Sequence, residues 1–206
     1  VNILVTGGNG RLAQKLRSTP DFNFLTPSRE ELNLSSYSSI DKFLEEKTVD
    51  GLILNAFHYL PSDIDLNNIK SFNEGFIEST KVNLLSTLYL YLKLNHNLKF
   101  IVFLSTGLDP IHESNHIFYR NSKAAVSDLL ERLWYRDQKI KTIFVHPGHM
   151  HDDYTFSMSA LQLVNLVSKI DELKNLTTYG IFDKDKMQAQ ELESIKSYHT
   201  VNVVDL

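Results

Sequence analysis

Short apolar runs alternate along this chain with longer segments whose apolar residues recur every three or four positions. Ile3-Leu4-Val5 reads as a buried strand, and Gly7-Gly8-Asn9-Gly10 then leads into a helix carrying Leu12 and Leu16. Phe22 to Leu25 reads as a second strand. Ser39 to Glu46 has Ile40, Phe43 and Leu44 at helical spacing. Leu52-Ile53-Leu54 is a third strand closed by Asn55-Ala56, and Thr80 to Leu94 is a long apolar helix with Val82, Leu85, Leu88, Tyr89 and Leu92. Phe100 to Leu104 is a fourth strand, followed by a helix over Phe118 to Asp137 and a strand over Thr142 to Val145 that Pro147-Gly148 stops. Ser159 to Leu173 reads as helix, Thr177 to Phe182 as strand, and Gln188 to Leu206 as a last helix and strand. The polar stretch Tyr59 to Gly75, which holds Pro61, reads as a loop or an insertion with a short helix.

Strands alternating with helices in this way predict βαβ units. Strands that are apolar throughout, rather than at every second position, belong to parallel sheets buried on both faces. The expected fold is α/β: a doubly wound parallel sheet in three α/β/α layers. Residues 1–206 contain no internal repeat or Pro/Gly/Ser-rich linker, so a single domain is expected, its substrate site in the C-terminal half.

Composition narrows the function. The chain is 42% hydrophobic and 22% charged with a net charge of -4, which gives no basic footprint for nucleic acid. It has no cysteine, which excludes disulfides, thiolate metal sites and a cysteine nucleophile. No run is long enough to span a membrane and no secretory leader opens the chain, so a cytoplasmic location is expected. Val1 in place of Met suggests that a preceding segment is missing.

The candidate chemistry begins at Thr6-Gly7-Gly8-Asn9-Gly10-Arg11-Leu12-Ala13, where the first strand turns into the first helix. Glycines there permit a tight turn and let backbone amides approach a pyrophosphate at the positive end of the helix. A Walker-type loop is excluded, because no Gly-Lys-Ser/Thr follows. Asn33, flanked by Leu32 and Leu34, is placed to hydrogen-bond an adenine, with Leu34 against its ring; a plain loop with a buried leucine fits equally. After the second strand come Thr26, Pro27, Ser28 and Arg29, with no acid until Glu30. An acid there would bond the ribose hydroxyls and repel a 2′-phosphate, whereas Ser28 and Arg29 suit that phosphate, with Arg11 as a second cation. NADP is therefore the expected cofactor and NAD the alternative.

Tyr119-Arg120-Asn121-Ser122-Lys123 puts a phenol and an ammonium on one helix face. A neighbouring cation favours phenolate, and such a tyrosine can exchange a proton with a carbonyl oxygen. With these landmarks the chain resembles the short-chain dehydrogenase/reductase family, whose pattern is Tyr-x-x-x-Lys, and with it the Rossmann-type fold. The resemblance covers residues 1 to about 150 in order. Asn55-Ala56 stands where the family has Asn-Ala-Gly after its fourth strand, Asn83 matches its helix asparagine, and Thr106 precedes Tyr119 by the family's thirteen residues. Pro147-Gly148 matches the segment beside the nicotinamide. The resemblance implies that Tyr119 is the general acid/base and that Lys123 binds the nicotinamide ribose and lowers the Tyr119 pKa. It implies that Thr106, or else Ser105, bonds the substrate oxygen, and that Asn83 holds a helix kink and a proton-relay water. The implied activity is NADP(H)-dependent reduction of a carbonyl, or oxidation of an alcohol, on a small molecule.

Departures from the pattern bear on substrate rather than fold. Gly7-x-x-Gly10-x-x-Ala13 and the segment Leu25 to Ala56 are similar to dTDP-4-dehydrorhamnose reductases, yet the C-terminal substrate domain of those enzymes does not follow. Phe57 is bulky where the family has glycine or alanine, and Asp152 stands where many members have a carboxamide-binding threonine. The alternatives to an oxidoreductase are a non-catalytic dinucleotide sensor or scaffold and a nucleotide-sugar-modifying enzyme. His146, His149 and His151 beside Asp152 and Asp153 match no zinc spacing, so no metal is expected. His58 and Tyr59, after Asn55, either face the same cleft or belong to a surface loop, the second being the favoured reading, and Trp134, Tyr89 and Tyr91 read as packing. Helices apolar nearly all round are buried on several sides, and the family pairs the matching two, so a homodimer or homotetramer is expected.

Overall fold

The computed structural model describes residues 1–58, 69–104, 117–147, 152–180 and 201–203; for 69, 71, 117–120, 178, 180 and 201–203 only the backbone is described. In chain order the elements are β1 (Asn2–Val5), α1 (Arg11–Arg17), β2 (Asn23–Leu25), α2 (Tyr37–Leu44), β3 (Gly51–Leu54), α3 (Ile69–Thr80), a π turn (Lys81–Leu85), α4 (Ser86–Leu94), β4 (Phe100–Leu104), α5 (Ile117–Arg136), β5 (Lys141–His146), α6 (Asp153–Ser168), a 3₁₀ turn (Ile170–Glu172), β6 (Thr178–Gly180) and β7 (Val201–Val203). The strands form one seven-stranded parallel sheet in the order β2-β1-β3-β4-β5-β6-β7.

Alternation along the strands builds the three layers. Ile3, Val5, Ile53, Val102, Leu104 and Val145 point to one face, against Leu12 and Leu16 of α1 and Leu163 and Val167 of α6. Leu4, Leu52, Leu54, Ile101, Phe103 and Phe144 point to the other, against α2, α4 and α5. Successive side chains on a strand face opposite ways, so strands apolar throughout supply both cores at once. Tyr91 is buried, Tyr89 donates to Asp41 at 2.8 Å, and half-buried Trp134 meets Tyr135 edge-to-face; the aromatic residues read as packing take that role.

Three expectations change. The helix expected over Ser159 to Leu173 is α6, over Asp153–Ser168, followed by the 3₁₀ turn. The helix expected from Thr80 is the second half of a helical run that begins at Ile69, so the C-terminal end of the polar stretch 59–75 is helical. Its apolar residues left little signal, because Phe76 and Ile77 are exposed instead of filling a core stripe. The run is also interrupted by the π turn, which periodicity alone does not reveal. In the last stretch, β7 is present; the helix expected before it lies outside the described residues.

β1 connects outward to β2, and the chain then crosses back over β1 to β3, so the order reverses between β1 and β3. Parallel α/β sheets open a crevice outside the carboxyl ends of their strands at such a switch point. The glycine loop follows β1 and Asn55 to His58 follow β3. Both therefore reach the same crevice.

Candidate functional site: a cleft at the switch point

Thr6 ties the two strand ends together. Its hydroxyl accepts from the Asn55 and Ala56 amides at 3.0 and 2.9 Å, and the Asn55 side-chain amide donates to the Thr6 carbonyl at 3.0 Å. Gly7 turns the chain with a φ of +75°, a conformation that costs a residue with a Cβ but not glycine. Gly8 donates to the Pro27 carbonyl at 3.1 Å, and a Cβ there would overlap the Thr26 and Pro27 carbonyl oxygens. Gly10 closes the loop on Gly7 O at 2.9 Å and caps α1. Gly7 and Gly8 thus serve the close packing of the loop on its neighbours, while all three glycines line the cleft.

That cleft has a volume of about 450 Å³, within the range of ligand pockets. Gly7, Gly8, Asn9, Gly10, Arg11 and Leu12 form one wall; Arg29, Asn33 and Leu34 form a second, and Asn55, Ala56 and Phe57 a third. Thr6 and Ser28 are placed differently. Thr6 is buried as the strap between β1 and β3. Ser28 closes a turn with Glu31: its amide donates to the Glu31 carboxylate at 2.7 Å, and its hydroxyl accepts from the Glu31 amide at 3.3 Å. Arg29 is mostly exposed and lies 3.7 Å from Glu78 on α3. Arg11 lies over the Phe156 ring at 5.3 Å.

Sequence reasoning missed part of the lining. Pro27, Leu32, Val82 and Phe156 also face the cleft. Phe156 arrives from α6 because α6 packs beside α1, a juxtaposition that no local pattern encodes. His58, for which the sequence favours a surface loop over the cleft, lines the cleft, and its Nδ1 is buried with no hydrogen-bond partner. Its position is set by Asn83. The Asn83 Oδ1 accepts from the His58 amide at 2.8 Å, and the Asn83 NH₂ is shared among His58 O, Ser79 Oγ and Ser122 Oγ at 3.1, 3.0 and 3.0 Å. Asn83 sits in the π turn, and π turns inside α-helices are frequent at functional sites.

Lys123 does not line the cleft. It is 3% exposed, and its ammonium donates to Leu104 O at the end of β4 at 2.8 Å. The Phe57 and Phe103 rings lie 4.6 and 4.9 Å from its Nζ. Burial disfavours the charged form and lowers its pKa from the ordinary lysine value to about 7. The Tyr119 backbone lies one helical turn N-terminal to Lys123 on α5. Ser105, Thr106, Gly148, Tyr59, His149 and His151 lie outside the described residues. Pro147 is buried and its carbonyl accepts from Ser159 at 3.4 Å, and His146 is buried at the end of β5. Asp152 caps α6, its carboxylate accepting from the Thr155 amide at 2.8 Å. No helix among the described residues is long and apolar enough to cross a membrane.

No family model and no curated protein matches the chain. Solved structures do. A carbonyl reductase from Pseudomonas aeruginosa PAO1 superposes with a TM-score of 0.65 at 19% identity, over 87% of this chain and 96% of that one. A small-chain dehydrogenase in complex with NADPH gives 0.67 at 16%, over 88% and 96%. A short-chain dehydrogenase/reductase-family oxidoreductase from Brucella ovis, in complex with a partially ordered NAD, gives 0.64 at 14%, over 88% and 99%. This chain has the fold of the short-chain dehydrogenases. The finer likeness to dTDP-4-dehydrorhamnose reductases finds no support in these structures.

Proposed function

We propose that the chain is an NADP(H)-dependent oxidoreductase of the short-chain dehydrogenase/reductase type, acting on a carbonyl or alcohol of a small molecule. The observation that carries this reading is the cleft at the β1/β3 switch point, walled by the glycine loop and holding Arg11 and Arg29. The residues present fit a dinucleotide. The loop backbone and two guanidinium groups suit its phosphates, and Leu32, Leu34 and Asn33 offer an apolar slot with one polar edge for adenine. The bound nicotinamide supplies or accepts the hydride. Tyr119 exchanges a proton with the substrate oxygen, Thr106 or Ser105 bonds that oxygen, and Lys123 favours the tyrosinate and bonds ribose hydroxyls. Asn83 fixes the cleft wall at His58. Assembly as a dimer or tetramer, with Leu92 and Tyr135 among the exposed apolar residues of α4 and α5, belongs to the same proposal.

A second reading, a sensor that binds dinucleotide without turnover, is favoured by one observation: Lys123 bonds Leu104 O under the Phe57 ring instead of facing the cleft. One experiment separates the two. Reduced cofactor is supplied with a panel of aldehydes and ketones, and its oxidation is followed for the parent and Tyr119→Phe. An enzyme turns over and loses about 10²-fold or more in rate on losing the phenol, with little change in cofactor affinity. Activity that survives Tyr119→Phe would mean a different acid. Dinucleotide binding with no turnover on any carbonyl would favour the sensor.

A further inference from the structure

Phe57 belongs to two cavities. It lines the dinucleotide cleft, and it also lines a small internal cavity that holds Lys123 together with Asn83, Phe103 and Val126. Arg11, Arg29 and the glycine loop border the first but not the second, and Lys123 borders the second but not the first. The Phe57 ring is therefore part of the wall between the cleft and the amine. Phe103 covers another side of that amine and Leu104 O accepts from it, so it lies between two rings and a carbonyl.

The wall has a fixed frame and a movable panel. Ala56, before Phe57, is held by its amide on Thr6, and His58, after it, is held at both its amide and its carbonyl by Asn83. The backbone on either side is thus pinned, while the half-buried ring between them can change rotamer at its own χ angles. Leu34, Ala56 and Val82 line both cavities as well, and of these four residues Phe57 has its ring 4.6 Å from the Lys123 Nζ.

We propose that Phe57 is a positioning residue that masks Lys123 from the cleft, and that an occupying dinucleotide turns the ring aside to reach the amine. This rests on the dinucleotide reading for its second half only. The energetic logic favours the movement once the cleft is filled. A buried amine that gains hydroxyl partners recovers solvation it lost under the ring, so displacing the ring is offset by the contact it exposes. Among the described residues lining the internal cavity none is acidic, so the lowered Lys123 pKa comes from burial, as a mask requires.

The test measures NADH and NADPH binding, by reduced-nicotinamide fluorescence, in the parent, Phe57→Ala, Lys123→Met and the double variant. Removing the ring from a protein in which most molecules are masked is expected to tighten binding by about five- to tenfold. With Met at 123 the same removal is expected to give no gain, which makes the pair coupled. An equal gain in both backgrounds would mean that the ring obstructs by bulk alone, and a loss in both would make Phe57 a cofactor contact; either overturns the proposal. A ligand-free measurement stands beside it: ¹³C NMR titration of protein labelled at lysine Cε. Lys123 is expected to titrate well below the other lysines in the parent and to move towards them in Phe57→Ala, or in Phe57→Leu if alanine does not fold. Lys123 titrating with the other lysines in the parent, or staying low when the ring is removed, would overturn the mask without reference to any ligand. Failure of all four proteins to bind either dinucleotide would instead sink the function proposed above, and with it the second half of this proposal.

Discussion

Replacing Lys123 with methionine is expected to stabilise the protein at neutral pH, and to do so less as the pH rises. Methionine keeps a long unbranched stem between Phe57 and Phe103 and removes the amine. In the folded protein that amine titrates at about 7, against an ordinary lysine value of 10.5. Between those two values the unfolded chain carries a proton that the folded chain lacks, so parent stability rises with pH across the window. The Lys123 contribution is highest above 10.5, falls by about 1.4 kcal/mol per pH unit on the way down, and levels off below 7 after a loss of about 5 kcal/mol. Against this stands the hydrogen bond to Leu104 O, which a neutral amine still donates and methionine cannot. Leaving that carbonyl without its donor costs about 1–3 kcal/mol at every pH. The net expectation is a methionine variant more stable by about 1–3 kcal/mol at pH 7, with the advantage shrinking to nothing between about pH 8.3 and about pH 9.8. Urea unfolding of both proteins at half-unit steps from pH 6.5 to 9.5 measures it, since histidines and carboxylates common to both cancel in the difference. A difference that stays flat with pH would refute the argument that Lys123 is held partly neutral by burial.

Asn83→Leu is expected to cost about 2–4 kcal/mol in the same unfolding assay, because His58 loses partners at both its amide and its carbonyl; an effect below about 1 kcal/mol would mean that water replaces the amide. Gly8→Ala puts a Cβ against two carbonyl oxygens that cannot move without β2. It is expected to destabilise by about 1–3 kcal/mol and to weaken dinucleotide binding, both read from thermal melts with and without ligand. Arg29→Ala is expected to weaken NADPH binding by about five- to tenfold and NADH binding little, because only the first carries the 2′-phosphate; equal losses for both would place Arg29 at a pyrophosphate or leave it an ion-pair partner of Glu78.

The sheet was legible in the sequence because its strands are apolar on both faces, so Ile3 to Val5, Leu52 to Leu54 and Phe100 to Leu104 stand out from any window. The glycine loop was legible for a related reason: Gly7 needs a positive φ and Gly8 tolerates no Cβ, and such backbone demands leave one residue type available. What could not be read is what two distant segments do to each other. Lys123 and Phe57 are each ordinary in their own segments, and their contact exists only because β3 and α5 end beside the same strand. The clamp of Asn83 on His58 is equally non-local, and it places in the cleft wall a residue for which the sequence left cleft and surface loop both open. Exposed Phe76 and Ile77 concealed α3, since they give its sequence no buried stripe.

The π turn between α3 and α4 absorbs a residue as well as presenting a partner. Each residue of an α-helix advances about 100° around the axis, and a π turn takes up one residue more than an α turn would. Lys81–Leu85 therefore holds an extra residue without turning α3 out of phase with α4. Removal of one residue from the turn would let it close as an ordinary α turn, with Phe76, Ile77 and Ser79 kept near their present faces. The same removal within α3 or α4 would turn everything beyond it by about 100°. At this point in the chain, the helix tolerates a change in residue number that it would not tolerate one turn away.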